Sequence, residues 1–206
     1  MRAVVITDTS NRSVSIADIA DPTPSGDQIL VDVKACGVNF TDLLSIDGKY
    51  QNNPPPPFTP GKDAAGIVAA VGANVTNHKV GDRVIAHVIH GGMAEKAVCP
   101  AALAFSLPDR VKFEDAAAMG LAYLTGYLAL TRRGAMNAGE VVLVNGASGG
   151  VGLASISLAK ALGADAVLAG LTTPSKGDAA KAAGADAIID LTAGDLKENL
   201  RGQVMA

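Results

Sequence analysis

Apolar positions come in short runs through the first half of the chain and in longer, helix-spaced blocks through the second. The runs at residues 4–6, 13–16, 29–35, 65–71, 83–87 and 94–98 are rich in Val, Ile and Ala and predict strands. Asp21-Pro22-Thr23-Pro24, Gly81-Asp82 and Gly91-Gly92 break between them. Several short strands separated by turn signals predict a small irregular β-barrel. Asn52-Asn53-Pro54-Pro55-Pro56-Pro57 predicts an extended loop, either a rigid surface spacer or a lid beside a pocket. From about residue 115 the texture changes. Helical spacing over 113–130 is followed by a strand at 141–144, a helix at 149–162 and a strand at 166–170. A helix at 175–183, a strand at 187–189 and a final helix beginning near Ala193 complete the pattern. Such alternation predicts parallel β-α-β units, and hence an α/β protein with domains at 1–115 and 116–206. The phrases A-L-G-A-D (161–165) and A-A-G-A-D (182–186) each close a helix and launch a strand.

The most specific stretch joins the strand at 141–144 to its helix. Asn145-Gly146 leads into Ala147-Ser148-Gly149-Gly150-Val151-Gly152, which reads A-x-G-x-x-G. The small residues in that pattern allow a tight turn, close approach of backbone N–H groups to a pyrophosphate, and close helix–strand packing. The positive end of the following helix faces the phosphate charge. A glycine-rich match in its strand–turn–helix setting predicts dinucleotide binding.

Composition removes other classes. A net charge of −3 favours neither a nucleic-acid partner nor an anionic membrane surface. The N-terminal Met1-Arg2-Ala3-Val4-Val5-Ile6 reads as a strand and not a signal peptide. The most apolar segment, 116–130, contains Gly120, Thr125 and Gly126 and falls short of the ~18–20 residues that span a bilayer. A soluble, cytoplasmic protein is expected, with Cys36 and Cys99 as reduced thiols rather than a disulfide.

Beyond the glycine turn, ordered motifs run through nearly the whole chain. They include Lys34-Ala35-Cys36-Gly37-Val38-Asn39-Phe40-Thr41-Asp42, Thr59-Pro60-Gly61-Lys62-Asp63-Ala64-Ala65-Gly66, Val80-Gly81-Asp82-Arg83-Val84 and Gly91-Gly92-Met93-Ala94-Glu95. Gly139-Glu140-Val141 leads into the turn, and Ala159-Lys160-Ala161-Leu162-Gly163-Ala164 closes its helix. With these the chain resembles the medium-chain dehydrogenase/reductase superfamily, and specifically its zinc-independent, zeta-crystallin-like quinone oxidoreductase branch. The resemblance implies a GroES-like β-barrel domain followed by a Rossmann doubly wound parallel sheet. Substrate and nicotinamide would meet in the cleft between them. Zinc alcohol dehydrogenases of the superfamily carry a ligand cysteine where this chain has Asn39 and a ligand histidine where it has Lys62. Neither is a suitable replacement, and no cluster of four cysteines is present for a structural zinc, so no metal site is expected. His87 and His90 stand as H-x-x-H, but on an extended segment they point to opposite faces. His78, beside a turn, reads as a solvated surface residue.

An NAD-preferring site places an acid about 20 residues past the glycine turn, on the ribose hydroxyls. Here that stretch is Gly170-Leu171-Thr172-Thr173-Pro174-Ser175-Lys176, without an acid and with hydroxyls and a lysine. This predicts NADP(H), with Thr172, Ser175 and Lys176 near the 2′-phosphate. The plainer reading has Ser175 capping a helix and Lys176 solvated. The resemblance also implies that Asn39, Asp42 and Tyr50 line the catalytic cleft and that Thr125 approaches the cofactor. Asn39 would contact the nicotinamide ribose or substrate; Tyr50 would stack near the ring or donate a hydrogen bond. Each has a structural alternative: Asn39 capping a turn, Asp42 starting a helix as an N-terminal charge, Tyr50 packing on the proline loop.

The reaction implied is hydride transfer to a small electron-poor acceptor, a quinone, or alternatively an enone or enoyl thioester. A non-catalytic dinucleotide-binding protein is the rival from another class. Relatives of this family are longer, so the chain is expected to be a truncated form carrying only the first half of the Rossmann sheet. A full-length form would be a homodimer.

Overall fold

The computed structural model describes residues 1–193 and divides the chain into two compact units, Met1–Leu121 and Ala122 onward. The expected helix near Ala193 lies outside the described residues. The division falls between Leu121 and Ala122, within a helix, whereas the sequence texture changes near residue 115.

In the first unit, β1 (Arg2–Asp8) and β2 (Ser13–Asp18) form an antiparallel hairpin. A five-stranded antiparallel sheet follows, built from β3 (Gln28–Gly37), β4 (Asp63–Val71), β5 (Arg83–His87), β6 (Lys96–Pro100) and β7 (Ala104–Ser106). Its order is β6-β3-β4-β5-β7. Backbone bonds tie the hairpin to the connecting loops, Val4 N–H to Met93 O at 2.9 Å and a mutual pair between Ile6 and Phe58. The core is aliphatic, with Ile29, Val31, Val68, Val84, Val88 and Cys99 enclosed. One short helix, α1 (Phe40–Ile46), leaves the end of β3, and α2 (Phe113–Leu128) starts after β7.

Three local readings change. β7 has no counterpart among the predicted strands, because three residues are too few to show a period. The sixth strand begins at Lys96 rather than Ala94, which only bridges to Ala3. His78 is not solvated. It is buried, and its Nε2 donates towards the carbonyls of Ala101 and Ala104, both at 3.2 Å. The turn is folded against the β6–β7 connection, where Asn77 Nδ2 also donates to Ala101 O at 3.2 Å.

In the second unit, α2 gives way to a π-helical turn, Ala129–Arg133, closed by Gly134 N–H on Ala129 O at 2.7 Å. Then come β8 (Val141–Asn145), α3 (Gly150–Ala161), β9 (Ala166–Leu171), α4 (Gly177–Ala182) and β10 (Ala187–Asp190). The three strands are parallel in the order β10-β9-β8, the 3-2-1 order of the first half of a doubly wound dinucleotide-binding sheet. Both faces of β9 are covered, so Val167, Leu168, Ala169, Gly170 and Leu171 are all buried, as a central parallel strand requires. The helix expected over 175–183 starts as a 3-10 turn, Pro174–Lys176, with Pro174 at its first position, where a fixed φ and a missing N–H are tolerated. No helix among the described residues is long and apolar enough to cross a membrane.

β3 and β4 pair across two register shifts, and Gly66 sits between them. A methyl group there would stand 2.1 Å from the Asp32 carbonyl oxygen. Gly66→Ala is therefore expected to destabilise the first unit by about 3 kcal/mol, read as a lower urea midpoint. An unchanged midpoint would show that the β3–β4 pairing yields without cost.

Candidate functional site

The first cluster forms where β3 ends. Asn39 is the N-cap of α1, in extended conformation, and Asp42 stands three residues on. Asp42 Oδ2 accepts the Asn39 backbone N–H at 2.8 Å, and its Oδ1 accepts the Gly61 N–H at 3.1 Å. Both oxygens are thus used on backbone donors, and the side chain is only 2% exposed. Asp42 holds the entry of α1 against the loop that precedes β4. Gly61 has a φ of +97°, and a side chain there would reach the Met93 backbone nitrogen at 2.5 Å.

Asp63, the first residue of β4 and 1% exposed, gathers three donors. Its Oδ2 accepts Asn39 Nδ2 at 2.8 Å and the Leu121 N–H at 2.9 Å, and its Oδ1 lies 3.2 Å from His87 Nδ1. Antiparallel register sets Asp63 directly opposite His87. Gly120 is a glycine because a Cβ would stand 2.3 Å from Asp63 Oδ1. Burial pushes the Asp63 carboxyl up, but the bonds from His87, Leu121 and Asn39 outweigh it and hold the group below the ordinary carboxylate value. An ionised Asp63 also fixes the Asn39 amide, since a carboxylate only accepts and the amide must turn its NH₂ inward.

Beside Asp63, Lys62 is buried with Nζ donating to Ile89 O at 3.0 Å and lying 4.3 Å from the centroid of the Tyr50 ring. Burial pushes its ammonium below the usual lysine value, partly offset by the carboxylates of Asp42 and Asp63. Cys36 and Cys99 are free thiols. Burial raises both to about 12, for Cys36 with help from Asp42 and Asp63, so neither is a ready nucleophile. His90 turns away to Asn52 O at 2.8 Å and sets its ring edge-on to Phe58. The proline loop is thereby pinned at Asn52 and, through Asn53 Nδ2, to Ser45 O.

The second cluster lies at the carboxyl ends of β8 and β9. Gly146, with φ +66°, turns the chain out of β8, and Gly149 caps α3. Ala147 is buried and bonded to Gly170 O, while Ser148 and Val151 line the helix start nearer the surface, Val151 being exposed. A Cβ at Gly152 would strike Gly146 O at 2.4 Å, whereas Gly150 faces open space. Close packing beneath and bare backbone above leave room at the first turn of α3, whose N–H groups have no intrahelical acceptor, and a pyrophosphate could be held there. Thr172, Ser175 and Lys176 follow β9 and are all exposed. Ser175 does not cap a helix, because α4 starts behind Lys176 without a side-chain cap. Thr125 is exposed on α2, next to Gly126, which packs against Ser155.

The structure thus joins Asn39 with Asp42 and Asp63 and sets Tyr50 against Lys62, and it places Ala147–Gly152 and Thr172–Lys176 after the neighbouring parallel strands β8 and β9. Asp63, Lys62 and His87 as site partners escape a reading of the sequence. The G-K-D signal is present, but what a carboxylate faces depends on strand register. Because Asp63 titrates below its unfolded value, its contribution to stability is fully present above about pH 4 and is lost as pH falls through the lower, folded pKa. Asp63→Ala leaves buried donors unmatched and is expected to cost about 3 kcal/mol at neutral pH. Its stability should also vary less with pH on the acid side, both read from urea unfolding between about pH 3 and 7, set around the carboxylate range. An acid limb identical to that of the parent protein would show that Asp63 is not ionised in the folded state.

Comparison with known proteins bears on the fold and the family. Residues 25–109 match the family described as alcohol dehydrogenase GroES-like domain. The chain is 45% identical over 148 residues to human quinone oxidoreductase, a match covering 71% of this chain and 45% of that protein. It is 36% identical over 182 residues to the human synaptic vesicle membrane protein VAT-1 homolog, covering 88% of this chain and 46% of that one. The chain therefore spans about half the length of the curated relatives it matches. Among solved structures, a probable oxidoreductase from Mycobacterium abscessus superposes with a TM-score of 0.91 at 35% identity, over 98% of this chain and 64% of the other. The Escherichia coli quinone oxidoreductase complexed with NADPH gives 0.85 at 33% identity, over 98% and 62%. With its GroES-like sheet, its 3-2-1 parallel strands and these relatives, the chain belongs to the medium-chain dehydrogenase/reductase superfamily, in its quinone oxidoreductase branch.

Proposed function

We propose that the protein is an NADPH-dependent reductase that passes a hydride to a quinone or similar electron-poor acceptor without zinc. The observation that carries this reading is the cradle at Gly149–Gly152. Its backbone is open where phosphate would approach and closed where a side chain would block the turn. The E. coli and Thermus thermophilus quinone oxidoreductases, solved with NADPH, share this fold at TM-scores of 0.85 and 0.80.

The dinucleotide would be held by Ala147, Ser148, Gly149, Gly150, Val151 and Gly152 at its pyrophosphate and by Thr172, Ser175 and Lys176 at its 2′-phosphate. The absence of an acid from 170–176 supports NADPH over NADH, since nothing there repels a phosphate and Lys176 attracts one. The reduced nicotinamide supplies the hydride when bound. The protein supplies orientation and a place for the acceptor, with Asn39, held by Asp63, and Tyr50, whose ring meets the Lys62 ammonium, as the groups facing it. Support for a zinc-free reaction comes from Lys62. It stands at the position where the zinc enzymes of the superfamily carry a ligand histidine, and a fixed cation opposes a second. A quinone needs no Lewis acid, because adding a hydride yields a stabilised hydroquinone anion.

An NADPH-oxidation assay with a quinone, an enone and an enoyl-CoA as acceptors tests the reading. Oxidation with the quinone supports it, and tight NADPH binding without oxidation of any acceptor refutes it in favour of a binding protein. For the nucleotide preference, Lys176→Ala is expected to weaken NADPH binding about tenfold while leaving NADH binding unchanged, followed by nicotinamide fluorescence. Equal affinity of the parent protein for NADH and NADPH would overturn the assignment of Thr172, Ser175 and Lys176.

A further inference from the structure

Lys62 carries a charge that the fold does not need. The residue is 5% exposed, yet among the described residues no carboxylate lies within ion-pair distance of it. An ammonium has three N–H donors. One reaches the carbonyl of Ile89 at 3.0 Å, the face of the Tyr50 ring lies 4.3 Å away, and no third protein acceptor is present among the described residues. Removing a cation from water for one neutral carbonyl and one ring face is costly, and a methionine of similar shape would suit the same space better. The cost has a location. Tyr50 is half-buried and Ile89 is exposed, so the ammonium lies just under the surface, in the cluster that holds Asn39.

The groups around it set its electrostatics. Asp42 approaches from α1 and Asp63 from β4, and both favour the charged form at longer range. Cys36 on β3 is a neutral thiol, Tyr50 offers its ring face, His87 is turned to Asp63, and His90 is bonded to Asn52. Lys62 is therefore a buried cation with an unused donor, set beside the ring of Tyr50.

We propose that Lys62 binds the oxyanion of the reduced acceptor and protonates it. The assignment rests on the reductase reading above. Hydride addition to a quinone leaves an electron pair on a ring oxygen. One Nζ–H bond of Lys62 breaks as the O–H bond of the hydroquinone forms, and the resulting neutral amine recovers a proton from water. Desolvation, which lowers the ammonium below the usual lysine range, makes that proton easier to release.

Two measurements test it, one without nucleotide. 4-Nitrophenol is titrated into the protein and the phenolate form is followed by its colour. The parent protein should bind the phenolate at least about tenfold more tightly than Lys62→Met, and Lys62→Arg should restore the binding. In NADPH-dependent quinone reduction, Lys62→Met should lose about 100-fold in kcat with little change in the KM for NADPH. Lys62→Arg should not recover kcat, because a guanidinium does not give up its proton. The parent kcat should fall as pH rises through the ammonium pKa, and that fall should be absent in Lys62→Met. Lys62→Gln replaces the methionine variant if thermal melting shows the latter unfolded. Equal phenolate affinity and equal kcat in the neutral variants overturn the proposal. Lysine-dependent phenolate binding in a protein that reduces no acceptor overturns the reductase reading and the protonation step with it, while the oxyanion site stands.

Discussion

A single ionised carboxylate, that of Asp63, organises the first unit. It stands at the start of β4 and draws a donor from the α1 cap, a ring nitrogen from β5 and a backbone N–H from α2. A charge buried this deeply is tolerable only if its oxygens are saturated, and each of the three donors is therefore held in place by it. The consequences spread outward. Gly120 must lack a side chain, Asn39 must turn its NH₂ inward, and the loop from Gly61 must pass close enough to meet Asp42. The chemistry of the cluster follows from a structural requirement: what satisfies Asp63 also orients Asn39.

The two units use glycine to opposite ends. In the antiparallel sheet, Gly66 allows backbone to approach backbone across a register shift, which is a packing demand. In the parallel sheet, Gly152 meets the same kind of close approach from Gly146 and Ala147, but Gly150 meets nothing. A glycine with no steric reason inside the protein leaves room for something outside it, and a negatively charged group at the start of a helix fits that room. The same contrast applies to polar groups. Asp42 and Asp63 are fully engaged by the protein, whereas Lys62 and Lys176 retain donors that the protein does not use.

Much of this was legible along the chain. The glycine turn announced itself because its constraints are local: strand, turn and helix are contiguous, and each small residue answers to neighbours within a few positions. The alternation of 141–190 likewise follows from periods that a one-dimensional pattern preserves. The missing acid after β9 is a local statement too. In the first unit, by contrast, strands were found but their partners were not, since β3 pairs with both β4 and β6 across separations that no period encodes. His78 shows the limit in one residue: beside a turn it suggested solvent, and the fold placed the β6–β7 connection against it.

The class of each half, the glycine turn between β8 and α3 and the residues available for chemistry can be read along the chain, because periodicity, turn chemistry and motif spacing are short-range properties. Only the tertiary structure decided which of those residues meet. Asp63 lies opposite His87 by antiparallel register, Asn39 reaches Asp63 because α1 starts where β3 ends, and Lys62 lies under Tyr50 because the intervening loop doubles back. Burial and pairing then set which groups are ionised, which donors are spent and which remain free, and these depend on surroundings assembled from residues far apart in the chain.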